Sequence, residues 1–99
     1  PMAEAEVTIT HPVGLHARPS VKFTKLAKTF VARVELATSA DGPWIDAKSI
    51  VKVMAAKAPR GTRLHLRADG DDADAAIAAL VGLVNRDFDE GHPDAGAAH

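Results

Sequence analysis

The sequence contains no cysteine and carries almost no excess of either charge. Without cysteine, disulfide frameworks, zinc–thiolate sites and thiol nucleophiles are excluded, and the chain suits a reducing compartment. Its 12 Lys and Arg residues are balanced by 13 Asp and Glu residues. A chain-wide positive field of the kind that draws proteins onto nucleic acid or anionic membranes is therefore lacking, and we expect no nucleic-acid partner.

Long hydrophobic runs and familiar catalytic patterns are lacking too. No apolar run approaches the roughly 20 residues needed to cross a bilayer, and the N-terminal PMAEAEVT resembles no secretory signal. We therefore expect a cytoplasmic protein without membrane contact. There is no paired carboxylate, glycine-rich phosphate loop, metal cluster or nucleophile triad. The sequence thus predicts no cofactor, no metal and no stand-alone enzyme acting on a small molecule.

The hydrophobic periodicity predicts a single small domain with the element order β-α-β-β-α-β-α. Pro43 predicts that the third strand lies at a sheet edge or begins just after the turn. Strands are expected at residues 6–10, 31–37, 44–47 and 62–68, with helices at 19–29, at 50–57 and from Asp71 or Asp72 onward.

The fold class predicted from these elements is α+β. Each strand has one apolar face and each helix one apolar stripe, which favours an open-faced β-sandwich. In that architecture three helices cover one face of a four-stranded, mostly antiparallel sheet and the other face stays wet. Residues 1–90 are expected to form this domain, and residues 91–99, which show no periodicity, are expected to be a mobile tail.

The most informative segment is Gly14-Leu15-His16-Ala17-Arg18-Pro19. Proline suits the first turn of a helix, so His16 is expected at or just before a helix start. There the unpaired backbone N–H groups of the next residues and the helix dipole favour a bound anion. Arg18 adds a positively charged fork that matches phosphate oxygens, while Gly14 permits a tight turn.

The same helix dipole disfavours an imidazolium and so favours a neutral, nucleophilic His16 ring. The segment predicts an imidazole that accepts a phosphoryl group and donors that stabilise it. Two other interpretations use the same residues: a surface or capping histidine, and an anion-binding helix N-terminus without chemistry. No role is predicted for the remaining histidines, which are His11, His65, His92 and His99.

The segment from Gly14 to Pro19 resembles the active-site signature of the HPr family, the phosphocarriers of the bacterial phosphoenolpyruvate-dependent sugar phosphotransferase system. The resemblance runs from about Glu6 to Val84 and includes Gly61, which is similar to a turn glycine of the family. It implies that His16 is phosphorylated on Nδ1 by Enzyme I, with phosphoenolpyruvate as the ultimate donor. The group would then pass to a histidine of a IIA protein, with Ala17 and Arg18 as phosphate-binding residues.

A second segment, Ala47-Lys48-Ser49-Ile50, is similar to the family's regulatory serine segment. The Ser49 hydroxyl is expected to cap the following helix, which is a sufficient physical reason for a serine there. In some members the matching serine is a substrate of HPr kinase/phosphorylase, which implies a regulatory role here. The resemblance also implies a partner-docking patch on that helix, made of Ile50, Val51, Lys52 and Met54, although some of these apolar side chains are equally suited to the core.

Two residues, Val13 and Lys57, depart from the family pattern. Val13 stands where family members often carry a small polar residue, and Lys57 stands where glycine is common. With Pro59 and Arg60, Lys57 makes its loop stiffer and more basic, which favours added phosphate affinity or an altered choice of partner.

Two alternative functions are open. The protein could be a regulatory protein of the same fold that acts through Ser49, or an HPr module of a larger or non-sugar phosphotransferase chain. We expect the chain to be a monomer.

Overall fold

Alternating apolar residues build four strands, and helical apolar stripes build three helices, in the predicted order. The computed structural model describes residues 1–90, so the predicted tail 91–99, with His92 and His99, lies outside the described residues. The strands are β1 (Met2–Thr8), β2 (Arg33–Ala37), β3 (Ile45–Asp46) and β4 (Arg63–Asp69). The helices are α1 (Ala17–Lys28), α2 (Ile50–Ala55) and α3 (Ala73–Asn85). The predicted α+β architecture is confirmed.

The strands form one antiparallel sheet in the order β1-β4-β2-β3. Along β4, Leu64 and Leu66 are buried against the helices, whereas Arg67 lies on the open face. There Arg67 pairs with Glu35 at 2.8 Å and stacks 4.0 Å from the centre of the Trp44 ring. β3 has only two residues and lies at the edge of the sheet, as Pro43 predicted.

Every strand boundary except the end of β2 at Ala37 differs from the sequence prediction, and the starts of β1 and β2 are the most informative cases. β1 begins at Met2 rather than Glu6, because the small alanines of its first half give a weak hydrophobic signal although their backbone pairs with β4 up to Asp69. β2 begins at Arg33 rather than at residue 31. Val31 is 91% exposed and its backbone N–H bonds outside the sheet, so its apolar character was misleading.

The core lies between the sheet and the helices. Helix α1 buries Phe23 and Ala27, and α3 buries Leu80 and Val84. Helix α2 buries only Val53 and leaves most of its surface exposed. No helix within residues 1–90 combines the length and the apolar character needed to span a membrane.

Asp72 connects two distant parts of the fold. It stands at the N-cap position of α3 and is one of the two residues, Asp71 and Asp72, that the sequence predicted to open this helix, but its side chain makes no capping hydrogen bond there. Instead, its carboxylate accepts hydrogen bonds of 2.8 Å from the backbone N–H groups of Val31 and Ala32. These backbone bonds, first that of Val31 and then that of Ala32, hold the pKa of Asp72 below its ordinary value. The residue therefore fastens the start of α3 to the chain entering β2.

Candidate functional site

The loop between β1 and α1 is held against the loop after α2 by backbone contacts. Gly14 has a φ of +69°, and a Cβ atom there would lie 2.3 Å from the carbonyl oxygen of Ala58. The next backbone N–H, that of Leu15, donates to the same Ala58 oxygen at 2.8 Å. Only glycine combines this left-handed backbone with so close an approach. Gly14 therefore lets the two loops lie together beside His16.

His16 is the exposed N-cap residue of α1, with an extended backbone (φ −84°, ψ −168°). The helix begins at Ala17, two residues before the predicted start at Pro19. Pro19 is tolerated as the third helical residue because first-turn N–H groups need no partner within the helix. The predicted position of His16 just before the helix is confirmed.

The first turn of α1 leaves two backbone donors for a ligand. Ser20 donates its backbone N–H to the His16 carbonyl at 2.9 Å, and Pro19 has no N–H. The N–H groups of Ala17 and Arg18 precede the first intrahelical hydrogen bond and have no acceptor within the helix. Together with the positive end of the helix dipole, these two groups suit an anion placed beside His16.

Arg18 and Lys22 share one acidic partner, Glu90. The Arg18 Nε atom lies 3.4 Å from one Glu90 carboxylate oxygen, and the Lys22 Nζ atom lies 2.7 Å from the other. Glu90 is 10% exposed, whereas Arg18 is 81% exposed. The hydrogen bond from Lys22, reinforced by the charge of Arg18, holds the pKa of Glu90 below its ordinary value. The predicted phosphate partner is thus an accessible guanidinium with an intramolecular counter-ion.

A left-handed turn places Glu90 at this position. Residues 87–89, which follow α3, all have positive φ values between 53° and 58°. Phe88 is fully buried and meets the His11 ring edge-on, with 5.9 Å between ring centres. The Thr10 hydroxyl donates to the Asp87 carboxylate at 2.5 Å. The end of the described chain is therefore anchored to the loop that carries His16.

His11 has a positioning role that the sequence analysis did not predict. Its side chain is buried, and its Nδ1 atom accepts a hydrogen bond of 3.1 Å from the backbone N–H of Val13. Phe88 covers it from a position 77 residues further along the chain. The contact between His11 and Phe88 joins residues far apart in the sequence, so it has no local signal. The same holds for the ion pair between Lys22 and Glu90, and none of these residues was assigned to the site from the sequence.

A shallow cavity of about 430 Å³ lies beside His16, between the β1–α1 loop and the end of α2. Its only ionisable lining side chains are those of His16 and Lys57. The rest of its lining is apolar and consists of Val13, Leu15, Ala17, Met54, Ala58 and Pro59. Arg18 does not line this cavity, and Lys57 is the only cationic residue beside His16 in its lining.

The predicted docking residues are divided over the surface of α2. Val51 is 74% exposed and Met54 40% exposed, Lys52 is exposed, and Ile50 is half-buried. The buried residue of the helix is Val53, which was not among the predicted docking residues. Met54 reaches the cavity beside His16, whereas Lys52 lines a separate groove against β2 and β3.

Ser49 is the N-cap residue of α2. Its side-chain oxygen accepts a hydrogen bond of 3.3 Å from the backbone N–H of Lys52. The capping interaction expected from the sequence is therefore confirmed. The serine lies at the opposite end of α2 from the cavity that His16 lines.

Comparison with known proteins gives consistent matches over almost the whole chain. A family model described as the PTS HPr component phosphorylation site matches residues 3–86. The phosphocarrier protein HPr of Pseudomonas aeruginosa is 41% identical over 90 residues, which cover 91% of this chain and 99% of that protein.

Two solved structures from Thermoanaerobacter tengcongensis are also similar. HPr-C-His matches with a TM-score of 0.83 and 34% identity, over 91% of this chain and 99% of the other. An HPr dimer matches with a TM-score of 0.68 and 37% identity, over 80% and 86% of the two chains. The matches in sequence and in fold point to the same family as the residues at the start of α1. The chain belongs to the HPr family of phosphocarrier proteins of the phosphotransferase system.

Proposed function

We propose that the protein accepts a phosphoryl group on Nδ1 of His16 from Enzyme I and passes it to a histidine of a IIA protein in sugar uptake. Phosphoenolpyruvate is the ultimate donor in this scheme. The observation that carries the proposal is the exposed imidazole at the N-cap of α1, next to two backbone donors and the Arg18 guanidinium. This is the arrangement that an anion held on the ring requires.

Each transfer exchanges one nitrogen–phosphorus bond for another. The free electron pair on Nδ1 of His16 forms a bond to phosphorus, and the bond between phosphorus and the donor's ring nitrogen breaks, leaving its electron pair on the donor. The Ala17 and Arg18 N–H groups and the Arg18 side chain stabilise the phosphoryl oxygens. Since Arg18 is bound to Glu90 in the unphosphorylated protein, it exchanges a carboxylate for a phosphoryl partner.

The direct test is phosphorylation by purified Enzyme I and radiolabelled phosphoenolpyruvate. We expect a label on the protein that is lost in acid and retained in base, as a phosphoramidate bond requires. The variant His16→Ala should take up no label, while the control variant His65→Ala, altered on the open face of β4, should be labelled like the wild type. Labelling of His16→Ala at the wild-type level would refute the proposal.

A second candidate function is regulation through Ser49, because this residue caps the helix that carries Met54 to the His16 cavity. In this alternative, HPr kinase/phosphorylase adds a phosphate to the Ser49 hydroxyl. Added negative charge at a helix N-terminus is tolerated locally and repels an acidic or apolar partner surface. Cells that retain full function with His16→Ala but lose it with Ser49→Ala would favour this alternative over the carrier.

We also infer that the protein acts as a cytoplasmic monomer. The lack of cysteine suits a reducing compartment, and the oligomeric state needs a direct test because a related protein has been solved as an HPr dimer. Sedimentation of the purified protein should give a mass near 10.4 kDa. A mass of twice that value at micromolar concentration would exclude the monomer.

A further inference from the structure

The charges around His16 are distributed unequally. On the α1 side, Arg18 is in contact with Glu90. On the cavity side, Lys57 is the only cation among the lining residues and forms no ion pair with any acid in the described part of the chain. The remaining walls of that cavity are apolar. An anion on the His16 ring that enters the cavity therefore meets a single positive charge, that of Lys57.

The backbone at Lys57 is one that favours glycine. Its φ is +51°, in the left-handed region where a side chain with a Cβ atom is disfavoured. The position is fixed on both sides, because the Lys57 N–H donates to Met54 at 3.2 Å and the next residue, Ala58, accepts from Leu15 at 2.8 Å. A lysine is thus held in a strained conformation at the edge of the His16 cavity, with its side chain exposed.

We propose that Lys57 is a second phosphoryl-binding residue, which stabilises the phosphoryl group on His16 from the cavity side while Arg18 acts from the helix side. The inference rests on the proposed carrier function. The low polarizability of the apolar walls strengthens the attraction between the ammonium and the phosphoryl oxygens. The long flexible stem of lysine lets its charge follow the group as it moves between His16 and a partner.

The test uses phosphoramidate, a small reagent that phosphorylates histidine without any protein donor. The Nδ1 electron pair forms the new bond to phosphorus, the bond between phosphorus and the reagent's nitrogen breaks, and ammonia leaves with that electron pair. The ring releases its extra proton to water, and ammonia takes up a proton. Rates are followed by ³¹P NMR of phosphohistidine, so the recognition of Enzyme I plays no part.

Three variants separate charge from structure. Lys57→Gly removes the cation and relieves the left-handed backbone, Lys57→Arg keeps the cation, and Lys25→Gln removes an exposed cation from α1 as a control for net charge. We expect Lys57→Gly to react about two- to tenfold more slowly at low ionic strength, with the other two near the wild type. This difference should shrink as added salt shortens the Debye length from about 30 Å to about 3 Å. Thermal melting should show that Lys57→Gly is folded and at least as stable as the wild type.

Two other results would overturn the proposal for Lys57. The first is a wild-type rate for Lys57→Gly with phosphoramidate. Even if transfer from Enzyme I were slowed in this variant, the result would show that Lys57 binds the partner protein and not the phosphoryl group. Equal losses in Lys57→Gly and Lys57→Arg would show that shape, rather than charge, matters. A protein that reacts with phosphoramidate at His16 but is not labelled by Enzyme I would refute the proposed function alone.

Discussion

At the scale of single residues, Gly14 brings the loop that carries His16 into contact with the loop after α2. Gly14 carries no chemistry, yet it allows the loop before α1 to approach Ala58 and thereby fixes one wall of the His16 cavity. Gly61 also has a positive φ, +93°, but a Cβ atom there would have no neighbour within 4 Å. The two glycines therefore separate the effect of backbone conformation from that of close approach.

Replacing each glycine with alanine should give different losses of stability. For Gly61→Ala we expect only the backbone cost, about 1–2 kcal/mol. For Gly14→Ala we expect about 2–5 kcal/mol, because the new methyl group also collides with the Ala58 carbonyl. Urea unfolding of the two variants measures both values. Equal losses would show that the loops separate without cost and that the contact with Ala58 does not position His16.

The residues of the site were predictable only where their signal was local. His16, Arg18 and the Ser49 cap follow from proline, serine and helix-start patterns within a few positions. The pairing of Arg18 with Glu90 joins residues 72 positions apart, and the His11–Phe88 contact joins residues 77 positions apart. No local pattern encodes either contact, and both depend on the left-handed turn at 87–89, where two aspartates and a phenylalanine adopt a conformation rare for such residues.

At the scale of elements, α2 is the helix with the fewest buried residues. It has six residues and one buried side chain, Val53, so packing contributes little to its stability. We therefore expect the hydrogen-bonded N-cap at Ser49 to contribute a large share of the stability of α2. The sequence predicted this helix to run to residue 57, but it ends at Ala55 because the chain turns into the left-handed conformation at Lys57.

The capping role of Ser49 can be measured without any partner protein. Ser49→Ala should lower the free energy of unfolding by about 0.5–2 kcal/mol, since the Lys52 N–H loses its acceptor. Ser49→Asp should retain most of that stability, because a carboxylate also caps the helix and its charge suits the helix N-terminus. Urea unfolding followed by circular dichroism gives both numbers. An alanine variant as stable as the wild type would show that the cap is dispensable.

At the scale of the whole molecule, periodicity was sufficient for the architecture, and tertiary contacts decided its boundaries. The element order and the edge position of β3 followed from the sequence. The start of β2 did not, because Asp72 withdraws the Val31 and Ala32 N–H groups from the sheet. This side chain joins segments 40 residues apart, so its protonation affects the stability of the entire fold.

The pH dependence of stability should reveal this connection. The backbone bonds lower the folded-state pKa of Asp72 below its ordinary value of 3.8, so its contribution is present above that value and is lost as pH falls through the lower folded pKa. We expect Asp72→Asn to be less stable than the wild type near neutral pH, with a difference that narrows below about pH 4. Urea unfolding at a series of pH values measures it. Asp41→Asn, altered in the exposed loop before β3, should follow the wild type, and a constant Asp72→Asn difference down to the lowest pH would refute the linkage.

The anchoring of Glu90 beside Arg18 and Lys22 has a practical consequence for labelling. A fluorophore or fusion domain attached directly after residue 90 begins on the same side of the molecule as His16 and obstructs any protein that approaches the imidazole. Met2 instead pairs with Asp69, at the end of β1 remote from the His16 loop, roughly 20 Å away along the strand. Immobilisation or tagging through the first residues therefore leaves the carrier surface free for kinetic measurements.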